Sequence, residues 1–141
     1  EDIKGYLLLG YFLEQLKKNV EALSLYQKTL KLFPDNEHIL LGIGRAYFQL
    51  KKYNEAIRNI NLTIKPNHRG RQTDFLLGCC YEKTGQYKKA MAAFKKAKRI
   101  CSEDPNIDFA LARCYKKIGK IDESVKEFGR GFIKLKKSQQ S

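Results

Sequence analysis

Apolar and polar positions alternate along this chain with the period of a helix surface, and the pattern restarts every 34 residues. Between positions 71 and 104, Phe75, Leu77, Gly78 and Tyr81 fall at helical spacing, and then Ala90, Met91, Phe94 and Ala97 do. Lys83-Thr84-Gly85-Gln86 separates the two stretches and has turn chemistry, with Gly85 suited to a helix C-terminus. Lys117-Ile118-Gly119-Lys120 repeats the device, whereas the earlier turns, Leu16-Lys17-Lys18-Asn19 and Leu50-Lys51-Lys52-Tyr53, lack the glycine. Asp104-Pro105 predicts an N-cap followed by proline at the first helical position. Each 34-residue stretch therefore predicts two amphipathic helices joined by a short turn.

Four columns run in register through the copies. Leu9-Gly10 recurs as Ile43-Gly44, as Leu77-Gly78 and, altered, as Leu111-Ala112. Leu13, Tyr47, Tyr81 and Tyr115 keep that spacing, as do Ala22, Ala56, Ala90 and Ser124, and then Tyr26, Ile60, Phe94 and Phe128. The small residues predict close approach of helix backbones, with the aromatic columns filling the space beside them. One helix pair cannot bury its apolar face alone, so the copies must stack. The fourth copy departs most, with Ala112 for Gly, Ser124 for Ala, and Gly131 where Thr29, Thr63 and Ala97 stand. Gly129 and Gly131 are expected to weaken the last helix by about 1 kcal/mol each relative to Ala.

An apolar-Gly pair, an aromatic three residues on, a small residue nine later and an aromatic four after that resembles the tetratricopeptide repeat family. The resemblance spans Ile3 to Ser138. It departs where the family's tryptophan is expected, since Tyr6, Leu40, Asp74 and Asp108 stand there, and only Pro34 stands where a repeat-closing proline is expected. The resemblance implies an all-α fold, a right-handed superhelical solenoid of four antiparallel helix pairs. It implies one domain over 1–141, with repeats at about 3–36, 37–70, 71–104 and 105–138.

In that family the first helices of successive pairs line a concave groove. The positions placed there are an apolar ladder of Leu7, Leu41, Phe75 and Phe109, then Tyr11, Arg45, Cys79 and Arg113, and one turn on Phe48, Lys116 and the flanking Lys117. Apolar anchors beside cations suit an extended or helical peptide that carries hydrophobic and acidic residues. The function implied is a protein-interaction module or scaffold, part of a larger chain or complex. One subclass of the family grips the C-terminal carboxylate of chaperones with five polar side chains. Here those positions hold Leu7, Tyr11, Gly42, Gln72 and Leu76, or Leu41, Arg45, Leu76, Asn106 and Ala110 one repeat later, so the donors are missing.

Composition narrows the partner. The net charge is +13, from 28 basic and 15 acidic residues, and it climbs from +2 in the first repeat to +5 in the fourth. Such a surface favours acidic partners. The alternative reading is an RNA-binding helical-repeat protein using that basic surface. It is not favoured, because lysines outnumber arginines 21 to 7 and no zinc-finger spacing, RNP-type motif or basic zipper accompanies them. No apolar run approaches the ~20 residues needed to span a bilayer, so membrane insertion is not expected.

Catalytic, metal and cofactor chemistry finds no support in the residues. The four cysteines form no Cys-x-x-Cys pair, and His38 and His68 are not spaced to complete a zinc site. Neither histidine belongs to a nucleophile–base constellation, and the carboxylates are expected mostly at solvent positions or helix starts such as Asp35, Asp104 and Asp122. The chain therefore does not read as an enzyme. Cys80 and Cys114 share their register with Ala46 and are expected buried and reduced, with Cys79 the more accessible. Free thiols suit the cytoplasm or nucleus, which are reducing compartments. The absence of an initiator Met is expected of a segment of a longer protein. The last helix carries Val125, Phe128, Phe132 and Leu135 on one side, which predicts that another segment, a second copy or a partner covers them.

Overall fold

Eight α-helices in four sequential antiparallel pairs make up the fold in a computed structural model that describes residues 2–140. They are α1 (Ile3–Gln15), α2 (Asn19–Leu32), α3 (Glu37–Gln49), α4 (Tyr53–Thr63), α5 (Arg71–Lys83), α6 (Tyr87–Ile100), α7 (Pro105–Lys117) and α8 (Ile121–Gln139). One 3₁₀ turn, Pro66–His68, lies between α4 and α5. No helix among the described residues is long and apolar enough to cross a membrane.

The four turns within pairs share one backbone device. A six-to-one hydrogen bond closes each: Lys18 N–H to the Leu13 carbonyl (2.9 Å), Lys52 to Tyr47 (2.9 Å), Gln86 to Tyr81 (2.8 Å) and Lys120 to Tyr115 (2.9 Å). The residue before each donor is left-handed. Gly85 and Gly119 take φ +77° and +83° without steric cost, while Lys17 and Lys51 are held at +61° and +60°. The pattern of helix and turn thus prevails even where the favourable residue is absent. Asp104 caps α7 by accepting the Asn106 N–H at 3.0 Å, with Pro105 in the first turn, and Asn36 caps α3 in the same way.

The helices group into two compact units, one ending at His68 and one beginning at Arg69. In the first, Ala22, Tyr26, Ile39 and Ile43 form the core, with Leu7, Leu13, Leu23, Leu30, Phe33 and Tyr47 packed against it. The Tyr26 ring lies over two glycines, Gly10 and Gly42, and a Cβ on Gly42 would come within 2.7 Å of it. The second unit repeats the arrangement. Ala90, Phe94, Ala97, Ile107, Ala110, Leu111 and Cys114 form its core, and a Cβ on Gly78 would meet Phe94 at 2.6 Å. Gly10 and Gly78 of the glycine column therefore make room for an aromatic ring from the second helix of their own pair.

The second unit buries charge, and three of its carboxylates depart from the expectation that most sit at solvent positions or helix starts. Asp108 is fully buried, forms an ion pair with Lys98 of α6 (2.8 Å) and accepts a hydrogen bond from Lys134 of α8 (2.7 Å). Glu127 is also buried and pairs with Lys98 (3.3 Å) and Arg130. Burial alone would raise the Asp108 carboxyl, but hydrogen bonds from Lys134 and Lys98 outweigh it and hold the group below the usual carboxylate range. Asp74, one repeat earlier, is buried too, and its Oδ1 has no hydrogen-bond partner. Burial pushes its carboxyl upward, only partly opposed by Lys96, Arg69 and Arg99.

Candidate functional site

The first helices of each unit lie side by side and are tied by the same ion pair. In the first unit, Arg45 on α3 donates from Nε to Glu14 Oε2 and from Nη2 to Glu14 Oε1, both at 2.9 Å. In the second, Arg113 on α7 donates from Nε to Glu82 Oε2 at 2.8 Å and from Nη2 to Glu82 Oε1 at 3.0 Å. Each partner lies 31 residues before its arginine. Two parallel hydrogen bonds fix the guanidinium plane and make the contact stronger than a point-charge pair. Tyr26 adds a third donor to Glu14, with its hydroxyl 2.6 Å from Oε1. Phe94 holds that position in the second unit, where the bridge lies nearer solvent.

These bridges account for the electrostatics of both arginines. Burial works against the Arg45 charge, and the Glu14 carboxylate more than offsets it, leaving the guanidinium above its ordinary value. Hydrogen bonding to Glu82 raises Arg113 similarly. Burial of the Tyr26 phenol, reinforced by Glu14, raises it as well. Arg45 and Arg113 are thus structural ties between first helices, and they are not unpaired cations waiting for a ligand. Their carboxylate partners, Glu14 and Glu82, lie in the neighbouring column, at a spacing that recurs only every second repeat.

The other predicted positions divide by unit. In the first, Leu7 is half-buried in the core cluster, Tyr11 is exposed, and Leu41 is buried. Phe48 is half-buried with its ring edge-on to Tyr53 at 5.3 Å. In the second, Phe75 and Phe109 are both half-buried. The Phe75 ring stands 5.3 Å from Phe94, and the Phe109 ring 5.4 Å from Phe128. Each first-helix Phe therefore leans on the aromatic of its own second helix while keeping part of its surface open. Lys116 and Lys117 are exposed, and no ion pair engages either one among the described residues.

Cys79 is half-buried on that face, while Cys80 and Cys114 are fully buried, the order the register predicts. Burial pushes all three thiols up, Cys79 to about 11 and the other two to about 12, so none is a ready thiolate at neutral pH. No cluster of three His, Cys, Asp or Glu side chains suited to a metal ion occurs among the described residues. Sequence reasoning missed a second exposed apolar surface, on α1, where Leu8, Leu9 and Phe12 face outward. Those residues look like core by helical spacing, and only the packing shows that nothing in the described chain covers them.

Comparison with known proteins gives two family matches in tandem. The family described as tetratricopeptide repeat matches residues 13–69, and the family described as anaphase-promoting complex, cyclosome, subunit 3 matches residues 65–131. No curated protein matches the sequence. Among solved structures, a crystal structure of MamA superposes with a TM-score of 0.88 at 22% identity, covering 99% of this chain and 82% of MamA. A MamA fragment from Desulfovibrio magneticus RS-1 gives 0.86 at 21% identity, with 99% and 78% covered. YrrB, described as a TPR protein with an unusual peptide-binding site, gives 0.78 at 22% identity, with 94% and 69% covered. At these identities the likeness establishes the fold.

Proposed function

This chain belongs to the tetratricopeptide repeat family, and from that premise we propose that it is a non-enzymatic protein-interaction module whose principal ligand is an acidic peptide or helical segment lying along α5 and α7. The family generally mediates protein–protein contacts. The observation that carries the narrower reading is the make-up of the α5–α7 face. Half-buried Phe75 and Phe109 keep open surface beside Lys116 and Lys117, which have no carboxylate partner among the described residues.

The charge balance of the second unit supports the same choice. It holds 18 basic and 8 acidic residues, a net +10, against +3 for the first unit. Three of its carboxylates, Asp74, Asp108 and Glu127, are buried, and Glu82 is taken by Arg113, so few acidic groups temper the lysines outside. Aromatic anchors supply most of the affinity in such interfaces, and flanking cations raise the on-rate and select acidic sequences. Because Arg113 is engaged, the steering role falls to Lys116 and Lys117. Unpaired thiols with raised pKa values suit a reducing compartment, the cytoplasm or the nucleus.

Selection from a random peptide library tests the reading. Winning peptides should combine aromatic or aliphatic anchors with Asp or Glu, and the Lys116→Glu/Lys117→Glu variant should bind them about tenfold more weakly. Random RNA is the competing ligand. If RNA binds more tightly than any selected peptide, with an affinity that falls steeply as salt rises, the surface serves a polyanion and the peptide reading fails.

A further inference from the structure

We propose that the outer face of α6 is a docking site for a double-stranded nucleic acid, gripped by its phosphates without reading its bases. The proposal goes beyond peptide binding and does not depend on it. Lys88, Lys89, Lys95, Lys96 and Arg99 are all exposed on α6. At about 100° per residue they fall within one arc of about 120°, centred on Ala92. Ala90, Ala93, Phe94 and Ala97, all buried, occupy the opposite side. Lys98 lies outside the arc and serves the buried Asp108 and Glu127. No acidic residue stands anywhere on α6.

A lysine coat spread evenly over the molecule would not have this form. The same five positions carry Glu21 against Lys28 and Lys31 on α2, and Asp122 and Glu123 against Arg130 on α8. Along α4 and just past its end they carry Glu55 against Lys65. Those sets sum to +1, −1 and zero, whereas α6 sums to +5. The excess also sits where the backbone opposes it. The first turns of α2, α4 and α8 hold Glu21, Glu55, and Asp122 with Glu123, where the helix dipole favours an acid. In α6 that turn holds Lys88 and Lys89 instead. No ion pair engages any of the five among the described residues. Lys89 and Lys95 rest over the Tyr81 and Tyr115 rings, 5.8 and 5.9 Å from the centroids. Asp74 acts on Lys96 and Arg99 from a buried position and pairs with neither. The charge of the arc is left whole for a ligand.

That ligand is anionic, and two features select a duplex over an acidic protein segment. Ala92 is the one apolar side chain within the arc, with Ile100 at its C-terminal margin, so no cluster of large apolar groups is there to anchor a protein. Lys88 to Arg99 span roughly 16 Å of helix. An extended peptide of that length has about five residues, and alternate side chains point away. A duplex carries about ten phosphates over the same length. Contacts to phosphates alone give weak binding, with a Kd of about 1–100 µM at physiological salt.

Fluorescence anisotropy with two labelled DNA duplexes of unrelated sequence, each of about 20 base pairs, tests this. Both should bind alike, with a log–log salt slope of about −4.5 for five phosphate contacts. Lys88→Glu/Lys89→Glu restores the acidic first turn of the other second helices. It should weaken binding about tenfold at low salt, bring the slope to about −2.7, and melt no lower than the wild type. Lys28→Glu/Lys31→Glu on α2 changes the net charge equally and should bind within about twofold of wild type. Absence of duplex binding at about 50 mM salt overturns the proposal. So does an equal loss in both variants, which would spread the attraction over the whole basic surface. Tighter binding of polyglutamate at matched charge overturns it by making the occupant an acidic protein segment. A melting temperature of Lys88→Glu/Lys89→Glu below wild type overturns it by assigning the two lysines to the fold.

Discussion

Asp74 and Asp108 hold one register position in successive repeats, and their surroundings give them opposite energetic signs. Each keeps one buried oxygen, Oδ1, without a hydrogen bond among the described residues, but Asp108 is neutralised by ion pairs with Lys98 and Lys134. Leucine is native to this position in the second repeat, where Leu40 is buried. Asp108→Leu should therefore cost about 2 kcal/mol, because it strands Lys134 and leaves Lys98 only Glu127, and Asp74→Leu should add about 1–3 kcal/mol, both read from urea unfolding at neutral pH. The pH dependence has opposite directions as well. The Asp108 contribution is present above its unfolded pKa of about 3.9 and is lost as pH falls through its lowered folded value. The Asp74 contribution is present below about 3.9 and is lost as pH rises through its raised folded value. The gain from Asp74→Leu should thus shrink on acidification. Arg113 offers a second residue-level test. Arg113→Glu sets two carboxylates against each other. Stability should fall, and the exchanged pair Arg113→Glu/Glu82→Arg should recover part of the loss, with a coupling of about 1 kcal/mol for so exposed a bridge.

Helices and turns were the most legible level of this protein. A 34-residue period with an apolar-Gly pair places eight helices, and Gly85, Gly119 and Asp104-Pro105 mark ends that the structure keeps. What periodicity cannot convey is which partner a small residue accommodates. Gly129 and Gly131 look alike in the sequence, as two helix-weakening residues in α8. In the fold, a Cβ at Gly129 meets nothing within 4 Å, whereas one at Gly131 would lie 2.7 Å from the Phe109 ring and 3.2 Å from Asp108 Cβ. Gly129→Ala should raise stability by about 0.5–1 kcal/mol through helix propensity alone. Gly131→Ala gains the same propensity but overpacks the α7–α8 contact, and the net change should be a loss of about 1–2 kcal/mol. Thermal melts of the two variants should move in opposite directions. Two melts moving upward together would mean that the α7–α8 contact has more slack than the Phe109 position implies.

At the scale of the whole chain, the repeat pattern made the fold class legible and left the binding face only partly so. The apolar ladder is visible as a column, but Phe75 and Phe109 remain half open while Leu41 is buried, a distinction set by packing and not by register. The pairing of Arg45 with Glu14 and of Arg113 with Glu82 joins residues 31 apart on different helices, and nothing local in either helix announces it. The charge gradient, by contrast, was plain in the sequence, and burial of Asp74, Asp108 and Glu127 sharpens it toward the surface of the second unit. The central claim is that a ligand lies along α5 and α7. Lysine-acylation footprinting, read by mass spectrometry with and without the tightest library-selected peptide, tests it most directly. The account predicts that bound peptide protects Lys83, Lys116 and Lys117 and leaves Lys88, Lys95 and Lys126 of the second helices fully labelled. Protection of Lys88, Lys95 and Lys126, with Lys116 and Lys117 labelled as in the free protein, would contradict it.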